Sequence, residues 1–369
     1  MLRLTRINKT AMTAMLACTA GLLGAAPAAD GKPRTLAPEA GKVFFGVTDT
    51  GEVEGFQDFR NAIGRKPAVI QTFHPWGNSL SQALPRWRKV KARPMLHITT
   101  KADDGTELIT PLQIANGRGD DYLIRLNRTL SRNRVLTYIR PLGEPNRCKN
   151  YYSGVDCSGN IRGGHYSFEY YKDAFRRIAT VIRGGGSRSK INSRLRALGL
   201  PKLRNTGGAK KLPQKLPTAP VSIIWSPLPA GSPTVRQNFP GHYWPGGKWA
   251  DWVATDFYNR YNNWNHLKRF YVRWAVRMDR PMALTEWGLW GSDDPRFVRQ
   301  IFAFVRKRAR MKMMVYYQDF GCCNVFRLQN FPLSEDVVRA KVDSPAFPQM
   351  APRSPRPGMG NYYPGIIPR

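Results

Sequence analysis

Tyr138-Ile139-Arg140-Pro141-Leu142-Gly143-Glu144-Pro145-Asn146 and Pro281-Met282-Ala283-Leu284-Thr285-Glu286-Trp287-Gly288 are built alike. Each reads as a short apolar strand that runs straight into a glutamate. Continuous apolar runs of this length suit strands of a parallel sheet buried on both faces. A carboxylate at the mouth of a buried strand is in an uncomfortable place, because burial disfavours the ionised form. For either segment alone the competing reading is a glutamate that caps the next helix or pairs with an arginine.

Working outward, six further runs read the same way: residues 42–47, 67–73, 93–98, 221–225, 252–256 and 313–317. With residues 135–140 and 281–285 they make about eight strands. Helical spacing of apolar residues recurs between strands, at 170–182, 270–278 and 297–305. Alternating strand and helix predicts an α/β fold, a closed (β/α)8 TIM barrel forming a single catalytic domain over residues 43–343. The chain of 369 residues is long enough for it, since such barrels take about 250 residues. A doubly wound open sheet is the alternative. It lacks the Gly-x-Gly-x-x-Gly that a nucleotide-binding first turn would carry. In a barrel, active residues sit at the C-terminal ends of strands, and there Glu144 ends the fourth strand and Glu286 the seventh.

The flanks and the cysteines suggest export. Arg3, Arg6 and Lys9 precede an apolar stretch and Ala26-Pro27-Ala28, which predicts a signal peptide over residues 1–28 and a secreted, periplasmic or cell-surface protein. A lipid anchor on Cys18 is a lesser alternative. Residues 29–42 read as a linker and the proline-rich residues 344–369 as an irregular tail. Cleavage would leave Cys148, Cys157, Cys322 and Cys323. In an exported protein Cys148 and Cys157, bracketing a short loop, are expected to form a disulfide; Cys322 and Cys323 either pair with each other or stay reduced. No zinc-type spacing occurs, so neither a metal nor another cofactor is expected. No run reaches a membrane span.

Residues 184–220 contain many Lys and Arg, several Gly and Pro, and no Asp or Glu. They read as a basic, solvated insertion before strand five, at the barrel end away from the active site. The net charge of the chain is +33. Such a charge suits either contact with a polyanion, such as an acidic cell-wall or extracellular polymer, or simply a solvated exterior. Nucleic acid is not expected as a partner, because no nucleic-acid motif is present, and a monomer is expected.

Two glutamates on separate strands are what glycoside hydrolysis requires: a proton donor, and a nucleophile or base. Further segments join them: Phe73-His74-Pro75-Trp76-Gly77, Ile224-Trp225-Ser226-Pro227, Tyr243-Trp244-Pro245-Gly246 and Asp251-Trp252-Val253-Ala254-Thr255-Asp256-Phe257-Tyr258. In order and spacing, residues 43–320 resemble glycoside hydrolase family 26, best known for endo-β-1,4-mannanases. The resemblance implies a polysaccharide substrate and a retaining double displacement. It implies Glu144 as acid/base and Glu286 as nucleophile, with Tyr258 bonded to the nucleophile, Trp225 as a sugar platform, and His74 and Trp76 lining the cleft. Asn146 and Trp287, flanking the two glutamates, are further candidates for substrate contact. Two departures bear on the catalytic subsite. Gly143 stands where the family has His, followed by Pro145-Asn146-Arg147 in place of an Asn-Gly, and Tyr316-Tyr317-Gln318 replace the tryptophan after strand eight. A non-catalytic carbohydrate- or wall-binding barrel, or a glycosidase acting on another β-glycan, are the alternatives.

Overall fold

The computed structural model describes residues 35–206, 211–318 and 325–354. Among these, eight parallel strands close into a barrel: β1 (Phe44–Thr48), β2 (Val69–Pro75), β3 (Arg93–Thr99), β4 (Thr137–Pro141), β5 (Val221–Trp225), β6 (Trp252–Tyr258), β7 (Met282–Gly288) and β8 (Met311–Tyr316). Each strand pairs with its sequence neighbours, and β8 returns to β1. Helices lie between the strands, as the alternating pattern predicts. The clearest is Phe168–Arg183, started by Ser167, whose side chain accepts from the Tyr170 N–H. The predicted helix at 270–278 differs in kind: an α-helix over Trp264–Phe270 continues as π-helical turns over Tyr271–Val276.

One irregularity matters for function. Thr255 of β6 pairs with Leu284 of β7, yet Asp256 pairs with Glu286. On the other side Met314 pairs with Leu284 and Tyr316 with Trp287. β7 therefore carries one extra residue at Thr285, a bulge of the sort that re-aims side chains beside active sites. It sets Glu286 level with Asp256.

The barrel interior is packed by Phe44, Val69, Met95, Tyr138, Ile224, Trp252, Ala254, Ala283, Met313 and Val315, with Leu36, Ala37, Leu136 and Ala351. Buried Arg93 bonds Leu36 O (2.6 Å), the Tyr138 hydroxyl (2.8 Å) and Pro352 O (2.7 Å). The N-terminal mouth of the barrel is thus stoppered by both ends of the described chain. Within the described residues, 35–37 of the expected linker and 351–353 of the expected irregular tail pack against this mouth. The predicted signal peptide, Cys18, Cys322 and Cys323 lie outside the described residues.

The basic segment is corrected. Residues 186–187 pair with 215–216 as a two-stranded sheet, and a helix runs over Arg188–Arg196. Ile191, Leu195, Leu200, Leu203 and Leu216 are buried. The segment has apolar residues enough to pack, so it is not a solvated excursion. It also climbs: Arg204 bonds Asn116 O and Asp120, and Thr206 bonds Asp121. Asp120 and Asp121 open the helix Asp120–Asn133, which follows β3. Part of the segment therefore reaches the end of the barrel that holds the strand C-termini. No helix among the described residues is long and apolar enough to cross a membrane.

Candidate active site

Glu286 lies within β7 and is buried. Two groups hold it. Arg140 of β4, fully buried, pairs with Glu286 Oε1 through Nη1 and with Asp256 Oδ2 through Nη2. The Tyr258 hydroxyl donates to Glu286 Oε2 (2.8 Å). Arg140 is itself fixed, because its Nε donates to the Ser226 hydroxyl (2.7 Å), and Asp256 accepts from the Thr285 hydroxyl (2.7 Å). The bulge in β7 and this arginine together determine where the carboxylate points. Burial raises the Glu286 pKa above the ordinary carboxylate range; Arg140 opposes this, the charge of Glu144 adds to it, and the Tyr258 bond opposes it. Asp256 is pushed up further by burial, against Arg140 and with Glu286. Arg140 is correspondingly held in its charged form by Asp256 and Glu286 against desolvation.

Glu144 is held quite differently. It follows β4 on a turn in which Leu142 and Glu144 both adopt φ 50°, a left-handed conformation that costs a non-glycine residue energy. Each carbonyl of the turn is pinned. The Tyr171 hydroxyl donates to Leu142 O (3.2 Å), the Tyr152 hydroxyl to Gly143 O (2.6 Å), and Asn150 Nδ2 to Glu144 O (2.9 Å). Glu144 N–H donates to Ser226 O (2.7 Å). Buried tyrosines of this kind remain protonated donors, since burial raises the pKa of both hydroxyls. Gly143 is required by space: a Cβ there would lie 2.7 Å from Arg140 Nε and 2.8 Å from His97 Nε2. The place a larger side chain would need is occupied by Arg140 and His97. His97 is kept neutral by burial and by Arg140; its Nδ1 lies 4.0 Å from Glu286 Oε1.

The loop after Glu144 is stapled by the disulfide Cys148–Cys157, as the sequence predicts. Asn146 is fully buried and clasps Leu228, donating to its carbonyl (2.9 Å) and accepting its N–H (2.7 Å). Its side chain braces the loop after β5 rather than offering itself to a ligand. Arg147 Nη1 donates to Glu144 Oε2 (3.0 Å), with the arginine side chain 45% exposed and the glutamate 11%.

The aromatic candidates divide. Trp225 and Trp287 are 0% exposed. Trp225 packs on Trp244, Phe270 and Trp274; Trp287 packs on Phe45, Phe302 and Tyr316. Neither presents a face to a sugar, so both expectations of substrate contact are corrected: their side chains point between barrel and helices. His74 and Trp76 are also buried, against Tyr122, and His74 is bonded to Asn78 O (3.0 Å). Tyr258 alone of the predicted binding residues touches a site carboxylate. The accessible aromatic surface lies elsewhere. Phe73, 38% exposed, meets Tyr317, and Tyr317, Tyr258, Phe326 and Trp290 pack in a row. Position after a strand marks such residues, but which face they turn outward is set by register and loop path.

No family model matches the sequence, and no curated protein matches it. Solved structures do match in fold. The modular endo-β-1,4-mannanase of Cellulomonas fimi superposes with a TM-score of 0.53 at 14% identity, over 85% of this chain and 73% of that one. A glycoside hydrolase family 26 β-mannanase of Bacteroides ovatus gives 0.52 at 16%, over 83% and 90%. The YdhT protein of Bacillus subtilis gives 0.50 at 15%, over 85% and 89%. The chain thus shares the (β/α)8 fold of these three proteins.

Proposed function

We propose that the chain is an exported, retaining glycoside hydrolase that cleaves a β-linked polysaccharide in the manner of an endo-β-1,4-mannanase. The observation that carries this reading is the treatment of Glu286: a buried carboxylate oriented at both oxygens, by Arg140 and Tyr258, at the barrel end that also holds Glu144. Glu286 attacks the anomeric carbon while Glu144 gives its proton to the departing glycosidic oxygen. Water then attacks the glycosyl–enzyme bond, its proton goes to Glu144, and Glu286 leaves as carboxylate. The two carboxyl groups should be about 5–5.5 Å apart for this chemistry. The row of exposed Phe73 and half-buried Tyr317, Phe326 and Trp290 would supply apolar faces for sugar rings. Export is supported by the residues of the N-terminal segment and by a disulfide beside the active turn.

The test is hydrolysis of a panel of β-mannans, β-glucans, xylans and acidic polysaccharides, together with an aryl glycoside whose leaving group needs no proton. Glu286→Ala should abolish turnover on every substrate. Glu144→Ala should abolish it on the polymers but retain formation of the glycosyl–enzyme from the aryl glycoside. Equal loss in both variants on the aryl glycoside would remove the assignment of roles. The second reading, a carbohydrate-binding barrel without turnover, is favoured by one contact, the ion pair of Arg147 with Glu144. It would be upheld by binding of a polymer that the wild type leaves intact.

A further inference from the structure

The site holds two arginines with opposite prospects. Arg140 is fully buried and its guanidinium is shared among Ser226, Glu286 and Asp256. Nothing arriving from solvent can reach it. Arg147 stands at the rim with its side chain 45% exposed. One nitrogen, Nη1, bonds Glu144; among the described residues no acceptor takes Nε or Nη2. Three N–H groups of a planar fork suited to carboxylates therefore have no protein acceptor among the described residues, on a side chain that solvent reaches.

This arginine is presented by a rigid turn. Its own N–H donates to Glu144 O (3.0 Å), and Cys148 N–H to Ser232 O (2.8 Å). Asn146 and Asn150 brace the turn on either side, and the disulfide closes the loop from Cys148. As a stabilising contact the ion pair of Arg147 with Glu144 is a poor investment: half-exposed ion pairs contribute about 0–1 kcal/mol. For a neutral glycan it is an obstacle, since Glu144 must give up its ion pair before it can act as a proton donor.

We infer that the sugar bound on the leaving-group side of Glu144 carries a carboxylate, and that this carboxylate takes Arg147 from Glu144. The inference rests on the reading of Glu144 as the proton donor. In the free protein Arg147 balances Glu144. When a glycuronate residue binds, its carboxylate becomes the counter-ion of Arg147, and Glu144 is released to hold a proton next to the glycosidic oxygen. An acidic substrate thereby completes the site and a neutral one does not. The net charge of +33 fits the same class of substrate, because a strongly basic surface raises the local concentration of a polyanion.

The experiment uses two matched pairs of hexasaccharides: β-1,4-linked D-mannuronate against mannohexaose, and β-1,4-linked D-glucuronate against cellohexaose. Members of a pair differ only in a carboxylate replacing a hydroxymethyl group. Binding is measured by calorimetry in the Glu286→Gln background at 0.15 M salt, where long-range attraction is screened; hydrolysis is measured with the wild-type residue at 286. At least one acidic member should bind about tenfold or more tighter than its neutral twin, the size of a charge-assisted bond. Arg147→Gln should bring that ratio close to one. Lys215→Gln, an exposed charge in the basic segment, should leave the ratio as it was. Melting curves of the variants report folding. A ratio near one in the starting protein, no binding of either acidic member, or a preference that survives Arg147→Gln overturns the inference. Hydrolysis of a neutral member without any acid preference sinks the inference and leaves the glycosidase reading standing. An Arg147-dependent acid preference without hydrolysis by the wild type removes the glycosidase reading, and with it the release of Glu144 as proton donor, and leaves only the carboxylate contact of Arg147.

Discussion

Glu286 and Glu144 stand at the same end of one barrel and are held by opposite means. Glu286 is held by side chains: it sits inside a strand, and Arg140, Asp256, Thr285 and Tyr258 fix it through charge and hydroxyl bonds. Glu144 is held by backbone: its turn carries two left-handed residues, and buried tyrosines and an asparagine grip the carbonyls. The first arrangement fixes a charge in a low-dielectric place. The second fixes a position and leaves the carboxylate a partner, Arg147, that solvent and ligands can reach. Under the proposed mechanism, a group that must remain an ion and a group that must change protonation call for these two kinds of support.

The comparison is broken most severely at Arg140. Arg140→Met leaves Asp256 and Glu286 as buried carboxylates without their shared cation, and a loss of about 3–5 kcal/mol of stability is expected at pH 7. The pH dependence has a definite sign. Both carboxyls have folded-state pKa values raised by burial, above the unfolded value of about 4. Each then binds its proton more tightly in the folded protein. Its contribution is complete below about pH 4 and is lost as pH rises through the folded value. Arg140 opposes that loss, so its removal should steepen the decline. Denaturant midpoints measured from pH 4 to pH 8 should fall more sharply with pH in the variant; parallel curves would show that Arg140 does not carry the pair.

Gly143→Ala attacks the other support. The added carbon would lie 2.7 Å from Arg140 Nε, so either the turn or the arginine must move. Overpacking of this sort costs about 1–3 kcal/mol, and displacement of the Glu144 turn by about 1 Å costs on the order of 100-fold in kcat/KM. Activity lost with the melting temperature nearly unchanged would locate the damage in the turn alone.

Tyr258→Phe is the mildest change and sharpens the contrast. It removes one bond to Glu286 Oε2 that holds the pKa of this group down. A loss of about tenfold in kcat/KM is expected, at the lower end for a bond to a charged group. The acid limb of the pH–rate profile should move to higher pH. An unmoved acid limb would mean that the limb does not report Glu286.

Strand order, barrel closure and the disulfide were legible because each rests on a local pattern: apolar runs, their alternation with helical spacing, and two cysteines nine residues apart. The placement of the two glutamates was legible for a related reason, since each adjoins a short apolar run that suits a buried strand. The aromatic platform was not. Trp225 and Trp287 each sit beside a strand end, as a platform would, but both turn toward the helices. Exposed Phe73 and half-buried Tyr317, Phe326 and Trp290 make the accessible row instead. In sequence the two sets look alike, and a one-residue step, such as the bulge at Thr285, reverses which side chains face out.

The chain by itself determined that eight buried strands would form, and that two of them would carry a carboxylate within or just beyond the strand, because strand formation follows from nearby apolar residues and turn residues. Only the tertiary structure decided what those carboxylates meet. Arg140 is read in sequence as one more residue of an apolar run, and Asp256 as one more of another. They become one charge network with Glu286 because barrel closure brings β4, β6 and β7 to a common interior, and a buried ion's neighbours are set by contacts across the fold. Arg147 likewise acquires its partner only through the turn that carries it back over Glu144.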